Sequence, residues 1–150
     1  MVACVAFANA QDEAANARRM ATNFFERIDN AINKGKVDTY FTMLAPGYYT
    51  VDTEGHRMNV PQLKSMVAGM MRATRGVHSE TVVKNVQLMD QEEVVWTEQT
   101  MTWSEKKGNG WVKMKETTRW AENLKMVGGA WRLASSQQLM TNEPWSFKTN

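Results

Sequence analysis

The spacing of apolar residues divides the chain into a helical part and a strand part. Between Asp12 and about Lys34, Met20, Phe24, Ile28 and Ile32 recur at four-residue steps, and Ala17, Ala21, Phe25 and Ala31 widen that stripe. This spacing predicts a helix with one buried face, ended at Gly35. KVDTYFTMLAPG predicts a short second helix, with Val37, Tyr40, Phe41 and Leu44 on one face and Pro46-Gly47 as the stop. YYTVDTEGHRMN reads as a short strand and a turn built on Asp52 to Gly55. A third helix is expected from about Pro61 to Ala73, burying Leu63, Met66, Val67 and Met70. After Gly76 the period falls to two. VHSETVVKNVQLMD, EEVVWTEQTMTWSEKK and WVKMKETTRWAENLKMV are long strands, and a last strand follows Gly128-Gly129. Tight turns at Asp90-Gln91, KGNG and Gly-Gly join them in antiparallel succession. The order predicts an α+β domain with helices on one face of a curved, mostly antiparallel sheet.

The last strand, AWRLASSQQL, does not alternate cleanly. One face would carry Trp131, Leu133, Ser135, Gln137 and Leu139, the other Arg132, Ala134, Ser136 and Gln138. Both faces turn polar halfway along, with side chains that hydrogen-bond but do not ionise. A pocket at that end of the strand would use such residues.

FTMLAPGYYTVDTEGHRMNVPQL and TTRWAENLKMVGGAWRLASSQQL, together with the strand order, resemble the nuclear transport factor 2-like (SnoaL-like, cystatin-like) superfamily over roughly residues 14–140. The resemblance implies a cone-shaped roll with a cavity at one end, on which different members carry enzymes, binding modules or oligomerisation domains. It implies no complete catalytic set here. The five aspartates, Asp12, Asp29, Asp38, Asp52 and Asp90, all fall in helices or turns. The isomerase members need an aspartate base inside a long strand. The dehydratase members use a His pair with tyrosines, which the chain does not reproduce in full. The Asp-Arg-Asp relay of the epoxide-hydrolase members is absent.

Strand faces supply the remaining candidates. On WVKMKETTRW the more apolar face holds Val112, Met114, Glu116, Thr118 and Trp120, so Glu116 is a candidate pocket carboxyl. On VVWTEQTMTW the phase is ambiguous. If Val94, Trp96, Glu98 and Thr100 face inward, Glu98 joins Glu116; otherwise Val95, Thr97, Gln99 and Met101 do. A carboxyl desolvated in such a pocket gains a raised pKa and can serve as a general base or acid. It can equally pair with a cation across the sheet. His78 with Glu80 is a further acid–base candidate or a surface pair. The ligand-contacting set expected from these faces is Tyr40, Tyr49, Trp96, Glu98, Met114, Glu116, Trp120 and Gln137, with Glu98, Glu116 and His78 as candidate catalytic groups. No cofactor is implied. His56 and His78 lack HxH or HxxxH spacing, so no metal centre is expected.

Composition narrows the function classes. A length of 150 residues is one domain, and a net charge of +2 with interspersed signs argues against a nucleic-acid surface. No stretch reaches the ~18 apolar residues of a membrane span. Twelve Met and six Trp suit either an irregular core or an adaptable binding surface. Residues 1–10 carry no charge and end in Ala8-Asn9-Ala10, a small-x-small signal-peptidase pattern, so they read as a signal-peptide remnant. Val2-Ala3-Cys4 is also a partial lipobox. Cleavage after Ala10 would remove Cys4, the only cysteine. The organisation expected is a remnant at 1–10, the domain at 11–140 and a loose tail at 141–150. The functional expectation is an exported, homodimeric, small-molecule binding domain for an apolar or amphipathic ligand. An isomerase- or dehydratase-type enzyme with a pocket Glu as base, and a dimerisation module without catalysis, are the alternatives.

Overall fold

The computed structural model describes the backbone of residues 2–139 and 146–149 and the side chains of residues 9–139. Helix α1 runs from Val2 to Asn33, ten residues further toward the N-terminus than the apolar stripe predicts. Its burial nevertheless begins where the stripe does. Residues 9–16 are all exposed, whereas Ala17, Ala21, Phe24, Phe25, Ile28 and Ala31 are buried. Met20 is the exception to the expected stripe, at 42% exposure. Each four-residue step turns about 40° past a full helical revolution, so Met20 has rotated off the face that Ile28 centres. Gly35 adopts a left-handed φ of 67°, and Lys36 N–H donates back to Ala31 O at 2.8 Å.

Helix α2 (Val37–Thr42) is shorter than expected, because Leu44 belongs to strand β1 (Leu44–Val51) and not to the helix. Leu133 N–H takes the Met43 carbonyl at 2.9 Å, and Leu44 pairs in parallel with Leu133. Sheet pairing thus overrides local helical preference. Pro46-Gly47 does not stop a helix; it lies in the irregular stretch of β1 between Leu44 and Tyr49, with Gly47 at φ 78°. Strand β2 (Arg57–Asn59) returns antiparallel along β1. The Asp52 carboxylate holds that turn by accepting the Glu54 and His56 N–H groups at 2.9 and 2.8 Å. Helix α3 (Val60–Ala73) starts with a reciprocal capping box: Asn59 Oδ1 accepts from Gln62 N–H, and Gln62 Oε1 accepts from Asn59 N–H.

Four long strands come next, as expected: β3 (Thr74–Met89), β4 (Glu92–Lys107), β5 (Gly110–Val127) and β6 (Ala130–Gln138). The sheet order is β2-β1-β6-β5-β4-β3, antiparallel except for the parallel β1–β6 pair, and the sheet stays open. Within the segment expected to be a loose tail, Ser146–Thr149 forms strand β7, paired with Lys113–Glu116 of β5. Trp145 and the Phe147 side chain lie outside the described residues. The core sits between the helices and the sheet, built on Phe24, Phe25, Ile28, Leu63, Val95 and Leu124.

One polar knot fixes α1 to β3. The buried Asp29 carboxylate accepts from Ser79 Oγ–H (2.7 Å), Thr81 N–H (2.7 Å) and Thr81 Oγ1–H (2.9 Å). One turn on, Asn33 accepts from Ser79 N–H and donates to Ser79 O. Removing the carboxylate strands three donors in a buried place. Asp29→Ala is therefore expected to lower the unfolding free energy by about 2–4 kcal/mol, with Asp29→Asn costing less. Urea denaturation checks this, and an unchanged midpoint for the alanine variant would refute it.

Candidate ligand-binding pocket

A cavity of about 230 Å³ lies between the helices and the inner face of the sheet. Phe25, Ile28 and Ile32 of α1 form one wall. Helix α3 contributes Leu63 and the methionines Met66, Met70 and Met71. Met66 is half exposed, so α3 is the side on which the cavity meets solvent. The floor comes from five strands, β1, β3, β4, β5 and β6, so it depends on which face of each strand looks inward.

On β4 the inward residues are Thr97, Gln99 and Met101. This is the opposite phase from the one that would bring Glu98 into the pocket. Trp96 and Glu98 point to the outer face, where Glu98 Oε2 accepts from Arg119 Nε at 3.1 Å and Lys84 stands at 4.0 Å. On β3 Thr81 lines the cavity and Ser79 is buried, which leaves His78 and Glu80 on the other face and exposed. On β5 the even-numbered face does look inward, as expected, but the cavity takes Trp120 and Glu122 from it. Met114 and Glu116 lie further along that face, outside the cavity lining, opposite Trp103 and Met101, and Glu116 is exposed. Tyr49 stacks under Arg57, whose guanidinium carbon is 3.5 Å from the ring centroid; its neighbour Tyr48 is the tyrosine that enters the cavity. Gln137 is exposed and donates to the carbonyls of Asp52 and Gln138. Of the expected contact set, then, the structure brings Tyr40 and Trp120 together at the cavity and places the other six elsewhere.

The broken alternation of the last strand has a geometric cause. Leu133 pairs with Leu124, but Ser135 pairs with Asn123, so Ala134 is an extra residue in β6. This bulge switches the strand's phase. Leu133 and Ser136 are both buried and both line the cavity.

Glu122 is the carboxyl that the sequence reading misses, along with Tyr48 and Ser136. It is 7% exposed and sits between Trp120 and Leu124 on the inward face of β5. The signal was present, since that face continues beyond Trp120 with a carboxyl between two apolar residues. Tyr48 Oη donates to Ser136 Oγ at 2.8 Å, and Ser136 is also hydrogen-bonded to the Glu122 carboxyl. Tyr40 and Tyr48 are linked through their hydroxyls. Burial pushes Glu122 up to about 7, and the Ser136 hydrogen bond restrains the rise. Burial and the nearby Glu122 raise both tyrosines, so they stay neutral hydrogen-bonding groups. Among the described residues five side-chain polar atoms are buried without a hydrogen-bond partner, and three of them, Glu122 Oε2, Thr97 Oγ1 and Trp120 Nε1, belong to residues that line the cavity; the others are Asn123 Oδ1 and Trp131 Nε1. Thr97 and Trp120 face each other across the β4–β5 pair.

These features define a class of protein: helices covering an open, bulged sheet around an apolar cavity with a small polar floor. Residues 17–133 match the sequence model of the calcium/calmodulin dependent protein kinase II association domain, and the chain belongs to that family. Solved structures agree on the nuclear transport factor 2-like fold. A protein named after scytalone dehydratase from Novosphingobium aromaticivorans superposes with a TM-score of 0.76 at 9% identity, over 93% of this chain and 92% of the other. A nuclear transport factor 2-like superfamily protein from Salmonella enterica gives 0.70 at 11% identity, over 86% and 94%. A type 2 hexachlorocyclohexane dehydrochlorinase gives 0.68 at 7% identity, over 94% and 90%. Among curated proteins no sequence matches.

Glu122 couples the pocket to pH. Its folded value, about 7, lies above the ordinary 4.5, so between the two the folded protein holds a proton that the unfolded chain releases. This contribution to stability is complete below the ordinary value, falls as pH rises toward 7 and is flat above it. Glu122→Gln is expected to gain stability relative to wild type between pH 5 and 8, by up to about 3 kcal/mol. Paired urea titrations at the two pH values measure it; a pH-independent difference would show that Glu122 titrates normally.

Proposed function

We propose that the chain is a small-molecule binding domain whose ligand is mainly apolar and carries a polar group. The observation that supports this is the trio of buried, unpartnered polar atoms, Glu122 Oε2, Thr97 Oγ1 and Trp120 Nε1, on residues lining an otherwise apolar cavity. Buried polar atoms are normally satisfied, and each orphan costs about 1–3 kcal/mol, so a ligand that satisfies them has a ready source of affinity. Methionines on α3 give the adaptable wall that suits such ligands. The family is named for association, which supports a homodimer as the working unit. Export rests on the Ala8-Asn9-Ala10 pattern, and removal of residues 1–10 would leave the buried stripe from Ala17 onward intact.

A native mass spectrum of gently purified protein, expressed with export, tests the reading. A dimer beginning at Gln11 and carrying a reproducible extra mass is expected. Met70→Trp, which fills the cavity from its partly exposed wall, should lose that mass while still unfolding in one cooperative transition. If wild-type protein carries no ligand and takes up no alkanol on titration, the binding reading fails.

A second reading is acid–base catalysis, favoured by one feature: burial on the wall of an apolar cavity pushes Glu122 up to about 7, where a carboxyl can both take and return a proton. Two structural neighbours are named for elimination chemistry, a dehydratase and a dehydrochlorinase. Incubation with a small cyclic ketone in D₂O checks it. Deuterium uptake next to the carbonyl, abolished in Glu122→Gln, is the expected result for an enzyme, and uptake at the buffer rate rejects it.

A further inference from the structure

Resting on the binding reading, we propose that the ligand is an organic amine, held as its ammonium by Glu122 among the hydroxyls of Tyr40, Tyr48 and Ser136, with its apolar tail along the methionines of α3. The charge of the lining carries this assignment. Among the described residues, no lysine, arginine or histidine lines the cavity, and Glu122 is its one ionisable acid. An anionic ligand would meet that carboxyl in a low-dielectric space with no cation to offset the repulsion. An alkylammonium reverses the sign and brings three donors. The groups around Glu122 offer four acceptor oxygens, enough for all three donors: a free carboxylate oxygen and the hydroxyl oxygens of Ser136, Tyr48 and Tyr40. The aromatic side chains of Tyr40, Tyr48 and Trp120 line the same space, a setting in which a desolvated cation is better tolerated than in an aliphatic one. Thr97 Oγ1 and Trp120 Nε1 can both donate, and they lie opposite one another on β4 and β5. They would take an acceptor oxygen elsewhere on the amine.

The pH response arises from the same groups. Facing Glu122, the titratable neighbours are Tyr40 from α2 and Tyr48 from β1, both held neutral. The lining residues of α1, α3, β3, β4 and β6 do not ionise in the accessible range, and Asp29 of α1 is occupied by Ser79 and Thr81. An ammonium pairs only with the ionised carboxylate. Amine binding should therefore strengthen as pH rises from 6 to 8 and release a proton at the lower end.

Isothermal titration calorimetry of the full chain with 1-octylamine, 1-octanol and octanoate tests the proposal. Octylamine at pH 8 is expected to bind about tenfold or more tightly than octanol, the worth of one charge-assisted hydrogen bond, and octanoate more weakly than either. Octylamine affinity should rise with pH, and its heat should depend on the buffer's ionisation enthalpy. Glu122→Gln should bring octylamine down to octanol's affinity and abolish the pH dependence of its binding. The wild-type pH series carries the test alone if that variant folds poorly. Equal, pH-independent binding of octylamine and octanol overturns the amine assignment and spares the binding pocket. A preference for octanoate overturns the charge argument. Failure of all three probes to bind overturns the binding reading itself.

Discussion

The pocket depends on the unbroken register between β4 and β5. Pairing runs from Glu92 opposite Lys125 to Lys107 opposite Gly110 with no irregularity between. A side-chain period of two means that one slip along this ladder would exchange its two faces completely. The register puts Thr97, Gln99 and Met101 beside Trp120 and Glu122 on the inner face, and it puts Glu98 beside Arg119 on the outer one. Flanking strands then adjust to this rigid pair. β3 shifts register between Val83 and Asn85, and β6 shifts at Ala134. Bulges at these points bend the flanking strands and re-aim single side chains without disturbing the central pair. Ser136 reaches the cavity by that device.

Element type and order were legible because long periodic segments carry their own signal. The stripe of α1 and the sixteen-residue strand β4 are expected within a residue or two of the observed burial and ends. Errors concentrate where a partner strand decides. Leu44 continues the apolar face of α2 in the sequence, yet its pairing with Leu133 makes it the start of β1. Nothing local to Leu44 encodes a contact with a residue so far along the chain. The phase of β4 is a similar case. Val94, Trp96, Glu98 and Val95, Thr97, Gln99 are equally amphipathic as triplets, and the winner is set by what packs above them. Thr97, at 2% exposure, is deeper than Trp96, so polarity would have pointed the wrong way.

The site itself was legible only in part. Tyr40 and Trp120 were visible because each sits on an apolar face near other aromatics. Tyr48 was lost to Tyr49, since adjacent tyrosines on a strand point to opposite sides and only the β1–β6 register chooses between them. Ser136 was masked by the bulge. Glu122 is different in kind. It lies on the face already judged inward, and its flanking Trp120 and Leu124 mark it as buried. Glu116 has similar apolar neighbours in sequence, but the cavity takes Trp120 and Glu122 from β5 and does not extend to it.

Three buried carboxyls show how the same chemical group separates structure from function. Asp29 accepts three hydrogen bonds from Ser79 and Thr81, and these tie a helix to a strand. Glu93, also on the inner face of β4, is desolvated and raised, but it lies outside the cavity. Glu122 alone combines burial, an unpartnered oxygen and a place on the cavity wall. A core designed only for stability would replace it with an apolar residue of similar size, because an unpaired buried carboxyl opposes folding at neutral pH. The fold instead surrounds it with hydroxyls that hydrogen-bond without neutralising it. A carboxyl kept ionisable but not satisfied is poised for a partner that arrives from outside, and the apolar walls around it restrict that partner to a molecule with one polar end.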